Sequence, residues 1–206
     1  MMEIVLVRHG ETLWNRQRRV QGVSDLDLTQ EGRRQARLVA RALRDAPIEA
    51  VYSSPLRRAL ATAEIINETR ALPVKRDPRL AEMDQGAFEG LAYEELMRCE
   101  QVFLERWIAD PTAVRMPGGE TLAEVQERAW EAYGEIAAAG LNALVVSHSF
   151  TISALLCRLL GISLKDFRRV SVAPASVTIL RIEGDTPRLV CLNDRRHLAE
   201  EGEGGD

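Results

Sequence analysis

Two four-residue apolar runs constrain most strongly what this chain can fold into. Ile4-Val5-Leu6-Val7 leads straight into Arg8-His9-Gly10, and Ala143-Leu144-Val145-Val146 leads straight into Ser147-His148-Ser149. Neither run alternates apolar with polar residues, and the first is rich in β-branched side chains, so each reads as a short strand covered on both faces. Covering both faces takes helices between the strands, which implies an α/β fold: a mostly parallel sheet flanked by helices on both faces. In open sheets of this kind ligands bind beyond the carboxyl ends of the strands. Both histidines stand at such ends. Gly10 reads as a sharp turn just after His9, through the backbone angles that glycine alone adopts freely.

The chain between these runs supplies the helices. Thr29 can cap a helix to about Asp45, with Ala36, Val39, Ala40 and Leu43 as its buried stripe and Pro47 as its stop. Ala50-Val51-Tyr52 is another short strand, ending in Ser53-Ser54-Pro55, and Pro55 suits a first helical turn. Leu56, Ala59, Leu60, Ala63 and Ile66 then recur at helical spacing. Arg57 and Arg58 therefore ride on the first turn of a helix that follows a strand, where backbone amides and the helix dipole favour an anion. Thr12 to Leu28 is polar and reads as an irregular loop over the strand end that carries His9.

Leu72-Pro73-Val74 reads as a short strand, and the glycine-punctuated loop after Leu80 carries Glu82, Asp84 and Glu89. Tyr93 to Ile108 is amphipathic through Leu96, Phe103, Leu104 and Trp107, while Thr121 and Glu124 have capping-box spacing for a helix to about Ala138. These segments form a small helical lobe, about 88–139, over the sheet. A helix follows His148 through Leu160 and stops at Gly161, and two strands flank Gly184-Asp185 as a hairpin. Residues 1–199 read as a single domain, with the acidic, glycine-rich tail 200–206 disordered.

Composition removes several function classes. A net charge of −4 disfavours nucleic acid and anionic membranes as partners. Cys99, Cys157 and Cys191 form no CxxC pair, and the three histidines have no metal-ligand spacing, so the sequence implies no metal site and a reducing, cytoplasmic setting. No apolar run approaches a membrane span and no signal peptide is legible. Lys75 and Lys165 are the only lysines among 27 basic residues. Arginine offers planar, bidentate donors suited to carboxylate and phosphate.

With the strand ends on one side of the sheet, Arg8, His9, His148 and one of Arg57 and Arg58 can converge. Two arginines and two histidines around one point make an oxyanion site suited to a phosphoryl group. A neutral imidazole can take that group covalently, and a carboxylic acid from the glycine-flanked loop can protonate the leaving alkoxide.

Leu6-Val7-Arg8-His9-Gly10-Glu11-Thr12 resembles the signature of the histidine phosphatase superfamily, the phosphoglycerate mutase-like proteins. The resemblance continues in order through Trp14-Asn15, Gln21-Gly22, Asp27 to Gly32, Ser53 to Ala59, Leu80 to Met83, Pro117 to Thr121 and Val145 to His148. Ser149 departs from it, because family members usually carry glycine there. Asn193 to Leu198 resembles the carboxyl-terminal strand of phosphatase-branch members, α-ribazole phosphatases among them.

That resemblance implies His9 as nucleophile and transient phosphohistidine, and Arg8, Arg58 and His148 as holders of the phosphoryl oxygens. It implies Glu82 as proton donor, ahead of Asp84 and Glu89, and Asn15, Gln21 and Gly22 as further phosphate contacts. It requires no metal and no cofactor. The implied activity is hydrolysis of a small-molecule phosphomonoester; a cofactor-dependent phosphoglycerate mutase and a non-catalytic module of the same fold are the alternatives. A homodimer is compatible with the sequence. Trp14, Trp107 and Trp130 read as packing residues, Cys157 as core and His197 as structural. Phe88, Phe103, Trp107 and Met116 suggest an apolar wall.

Overall fold

The first apolar run sits at the centre of a six-stranded sheet. In the computed structural model, which describes residues 1–184 and 186–199, the strands are β1 (Met2–Arg8), β2 (Ala50–Ser53), β3 (Val74–Arg76), β4 (Ala143–Ser147), β5 (Val177–Glu183) and β6 (Thr186–Asp194). Their order is β3-β2-β4-β1-β5-β6. β3, β2, β4 and β1 run parallel, and β5 and β6 close the sheet as an antiparallel hairpin.

The missing alternation in β1 and β4 has a direct cause. Ile4, Leu6, Ala143 and Val145 point into one core, while Val5, Val7, Leu144 and Val146 point into a second core on the other face. The second core is closed by α2 (Gln30–Ala42) and α3 (Arg57–Asn67). The first is closed by α6 (Leu122–Ala138) and α7 (Ser149–Leu159). Leu96 of α4 (Tyr93–Cys99) and Trp107 of α5 (Gln101–Ala109) belong to that same first core. The helices between β3 and β4 thus share the sheet's core.

Several local expectations change. The polar segment after His9 holds a four-residue helix, α1 (Leu13–Arg16), because the Thr12 and Asn15 side chains cap each other's backbone reciprocally. α2 stops at Ala42, before the expected Asp45, where the Arg70 guanidinium donates to the carbonyls of Leu43, Arg44 and Ala46. Pro55 precedes the helical turn, since α3 begins at Arg57 behind Leu56. The amphipathic stretch 93–108 is two helices, broken where Glu100 leaves helical angles at φ −119 and ψ 36. The third strand is Val74–Arg76, two residues later than Leu72-Pro73-Val74. The expected disorder of 200–206 lies outside the described residues.

Gly10 also differs from expectation. It has no positive φ; it is required by proximity, because a Cβ there would meet the Gly32 carbonyl oxygen at 2.4 Å. Gly32 returns the constraint: its own Cβ would meet the Glu11 carbonyl oxygen at 2.1 Å. The strand end carrying His9 is therefore laid directly on the first turn of α2. Gly10→Ala is expected to lower stability by about 2–3 kcal/mol, since backbone must shift on both sides. Urea unfolding checks this, and an unchanged midpoint would contradict the contact.

Candidate active site

Strand register brings the two histidines together. Arg8 of β1 stands opposite Ser147 of β4, so the next residues, His9 and His148, leave adjacent parallel strands side by side, with ring centroids 5.0 Å apart. β4 also neighbours β2, whose end passes through Ser54 into α3 and its buried Arg58. Three neighbouring strand ends thus converge on one point, His9 and His148 being 2% and 0% exposed and Arg58 0%.

Hydrogen bonds set the state of each group. His9 Nδ1 lies 2.7 Å from the Gly10 carbonyl oxygen, which can only accept. Nδ1 therefore carries the proton and Nε2 the lone pair. The Arg58 Nε–H donates to that Nε2 at 3.3 Å, and its other two nitrogens donate to the carbonyls of Ser24 at 2.8 Å and Gly22 at 2.6 Å. Burial first, then the charges of Arg58 and Arg8, hold His9 well below the ordinary imidazole pKa. Burial, Arg58 and His9 do the same to His148. Both rings are neutral at pH 7. Burial also pulls Arg58 down to about 10, which leaves it charged.

Ser54 Oγ lies 2.7 Å from His148 Nε2 and accepts from the Leu56 amide at 3.2 Å. With the Ser54 proton directed at Nε2, His148 carries its own on Nδ1, a buried atom with no partner among the described residues. Arg8 donates to the Val172 carbonyl at 2.8 Å, while its buried Nε has no partner, and neither has Gln21 Nε2. Unpaired buried donors are rare in folded proteins. Three such donors, on His148, Arg8 and Gln21, match the acceptors of a phosphoryl group.

Glu82 is buried as well. Its carboxyl accepts from the amides of Met83 at 2.9 Å and Phe150 at 3.1 Å, the latter in the first turn of α7. Burial nevertheless outweighs these bonds and the charges of Arg8 and Arg58, and its pKa is raised. Arg128 of α6 fixes this loop by donating to the carbonyls of Arg79, Ala81 and Glu82. Asp84 and Glu89 are placed otherwise: Asp84 accepts from the Gly86 amide, and Glu89 accepts from the amides of Val23, Ser24 and Gln85.

Arg8, Asn15, Gln21 and Glu82 line one pocket of about 360 Å³, together with Arg18 and Arg19. The Asn15 side-chain oxygen accepts from Thr12, and that of Gln21 from the Thr12 hydroxyl at 2.8 Å. Gly22, like the buried His9, Arg58 and His148, is not among the residues that line this pocket. Its carbonyl accepts from Arg58, and a Cβ on it would meet a Glu89 carboxylate oxygen at 2.1 Å. Its contribution is to let the 21–25 loop lie against Glu89.

Sequence reasoning missed Ser54, Thr62, Arg128 and Ala175. The Thr62 hydroxyl takes the Gly10 amide at 3.1 Å, and the Ala175 amide, held at φ 55, donates to the Arg8 and His9 carbonyls. Of these, Ser54 lies within the Ser53 to Ala59 stretch that carries the resemblance, and Thr62 lies three residues beyond it. His197 is buried, its Nε2 2.9 Å from the Ala175 carbonyl oxygen, in keeping with a structural role.

The model of the histidine phosphatase superfamily (branch 1) matches residues 4–195. The chain belongs to that superfamily. This histidine phosphatase is 36% identical to phosphoserine phosphatase 1 of Hydrogenobacter thermophilus over 97% of its own length and 96% of that protein's. It is 37% identical to the probable phosphoglycerate mutase GpmB of Yersinia pestis over 86% of its length and 84% of that protein's. Its fold matches the α-ribazole phosphatase of Shigella flexneri with a TM-score of 0.86 at 28% identity, over 94% of this chain and 96% of that one. Among the described residues, no helix is long and apolar enough to cross a membrane.

Proposed function

We propose that this histidine phosphatase hydrolyses a small-molecule phosphomonoester through a phosphohistidine on His9. The observation that carries the reading is His9 itself: a neutral ring whose proton is fixed on Nδ1 and whose Nε2 lone pair lies against Arg58. Nε2 attacks phosphorus, and the phosphorus–oxygen ester bond breaks as the new nitrogen–phosphorus bond forms. Arg8, Arg58 and the Nδ1–H of His148 hold the phosphoryl oxygens, with Asn15 and Gln21 as further contacts at the pocket wall. Glu82, whose protonated form burial favours, gives its proton to the departing alkoxide. It then removes a proton from the water that attacks phosphorus and releases phosphate from His9. The arginines supply the positive charge that divalent metal supplies in other phosphoryl-transfer sites, so the reading contains no metal and no cofactor. We place it in the cytoplasm, with no nucleic acid or membrane as partner, and as one domain over residues 1–199.

The second reading is phosphoglycerate isomerisation, favoured by the GpmB similarity. Hydrolysis is preferred because only residues 83–147 separate Glu82 from His148, and the pocket beside them admits water. Assays of 3-phosphoglycerate with 2,3-bisphosphoglycerate, run beside release of inorganic phosphate from simple esters, separate the two. Phosphate release without isomerisation is expected, and efficient isomerisation without phosphate release would overturn the proposal.

The pKa directions fix a pH profile. His9 must be neutral and is held below the ordinary imidazole range; Glu82 must be protonated and is held above the ordinary carboxyl range. After correction for the ester's own ionisation near pH 6, kcat/KM is expected to hold or rise as pH falls from about 8 to about 5.5. A loss centred near pH ~6.5, where an unperturbed imidazole protonates, would contradict the His9 assignment.

A further inference from the structure

Beside the phosphate pocket lies a second chamber, of about 340 Å³, that ester hydrolysis alone does not require. Phe88, Phe103, Trp107, Met116, Phe150 and Phe167 form much of its wall. The rings hold one another. Phe88 meets Phe103 edge to face at 4.8 Å, and Phe150 lies 6.2 Å from Trp107 and 5.5 Å from Phe167. Such mutual packing keeps the space preformed at the size of a small-molecule site. Gln21, Tyr93 and Phe150 belong to both walls, so the chamber adjoins the phosphate pocket.

The polar groups on this wall are few. Arg168 is its only charged side chain among the described residues. The Arg168 guanidinium lies over the rings of Phe167 and Trp107, at 4.9 and 5.7 Å, and donates to the Trp107 carbonyl at 3.2 Å. Gln85 is buried, and its Nε2 has no partner. An apolar chamber with an unpaired amide donor suits an apolar body that carries a hydrogen-bond acceptor.

We propose that this chamber receives the leaving group, and that the leaving group is an apolar, ring-bearing alcohol with an acceptor for Gln85. The proposal rests on the hydrolytic reading above and adds the substrate class to it. An amino-acid leaving group such as serine would bring an ammonium ion into a space whose wall holds no carboxylate, and desolvating an unpaired ion is costly. This chain therefore differs in preference from what the name of its phosphoserine phosphatase relative states.

The test is a set of phosphate esters of primary alcohols: ethyl, butyl, hexyl, 2-phenylethyl and 2-(4-acetylphenyl)ethyl phosphate, beside phosphoserine. All leave as primary alkoxides that need a proton, so the apolar body is the main variable. kcat/KM is expected to rise about fourfold per methylene, with 2-phenylethyl phosphate ahead of phosphoserine by about 100-fold or more. The acetyl ester should exceed its parent by about fivefold, an advantage lost in Gln85→Leu. Phe103→Asn should lower the ratio of 2-phenylethyl to ethyl phosphate turnover by about tenfold. Met97→Glu, at a wall residue 60% exposed and so tolerant of change, should do the same. A series flat in chain length, phosphoserine in the lead, an acetyl effect that survives Gln85→Leu, or a ratio unmoved in both wall variants would overturn the proposal and leave hydrolysis standing. No turnover of any ester would overturn the hydrolytic reading and this proposal with it.

Discussion

His9→Ala is expected to reduce turnover of every phosphomonoester by roughly 10⁴-fold or more, because it removes the atom to which the phosphoryl group is transferred. The fold should tolerate it. Among the described residues the His9 ring makes two contacts of hydrogen-bond length, to the Gly10 carbonyl and from Arg58, and Arg58 keeps its bonds to the carbonyls of Gly22 and Ser24. Circular dichroism and an unfolding curve would show a folded protein. Turnover within tenfold of the parent would place the nucleophile elsewhere.

Glu82→Gln is expected to produce a loss that depends on the leaving group. An alkyl phosphate, whose alkoxide needs a proton, should slow by about 10²–10⁴-fold. p-Nitrophenyl phosphate releases a stable phenolate, so its first step should slow far less. Glu82 also serves as the base for the second step, so phosphoenzyme should accumulate in the variant. A burst of nitrophenolate close to one equivalent per active site is the expected signature. Equal losses on both esters with no burst would remove Glu82 from proton transfer. Asp84 and Glu89, the other acids of that loop, would then be tested, although both already accept from loop backbone amides.

Much of this site was legible in the sequence because it is built from strand ends. An apolar run with no alternation reports burial on both faces, and a histidine two positions past its end must emerge at the sheet's carboxyl edge. The relative placement of His9 and His148 required one further fact, that β1 and β4 are neighbours in register, and no local pattern encodes strand order. Arg58 could be chosen over Arg57 only by resemblance. In the structure Arg58 is buried with three side-chain hydrogen bonds, while Arg57 is exposed and pairs with Asp27.

The parts that stayed hidden depend on long-range contact. Nothing near Gly10 announces that its neighbour is Gly32, so a turn was the natural reading where close approach is the cause. Ala175 holds the carbonyls of Arg8 and His9 from more than 160 positions away, and His197 and Asn193 hold the loop that contains it. The four apolar residues singled out in the sequence do share one wall, but only the structure shows that this wall encloses a chamber adjoining the phosphate pocket.

The central claim is a covalent phosphoryl group on His9 Nε2. The most direct measurement mixes the protein with a ³²P-labelled ester, quenches within the first turnover and maps the label. Label that is stable in base, labile in acid, confined to the peptide containing His9 and absent from His9→Ala is the result the account predicts. Label on another residue, or label that persists in His9→Ala, would contradict it.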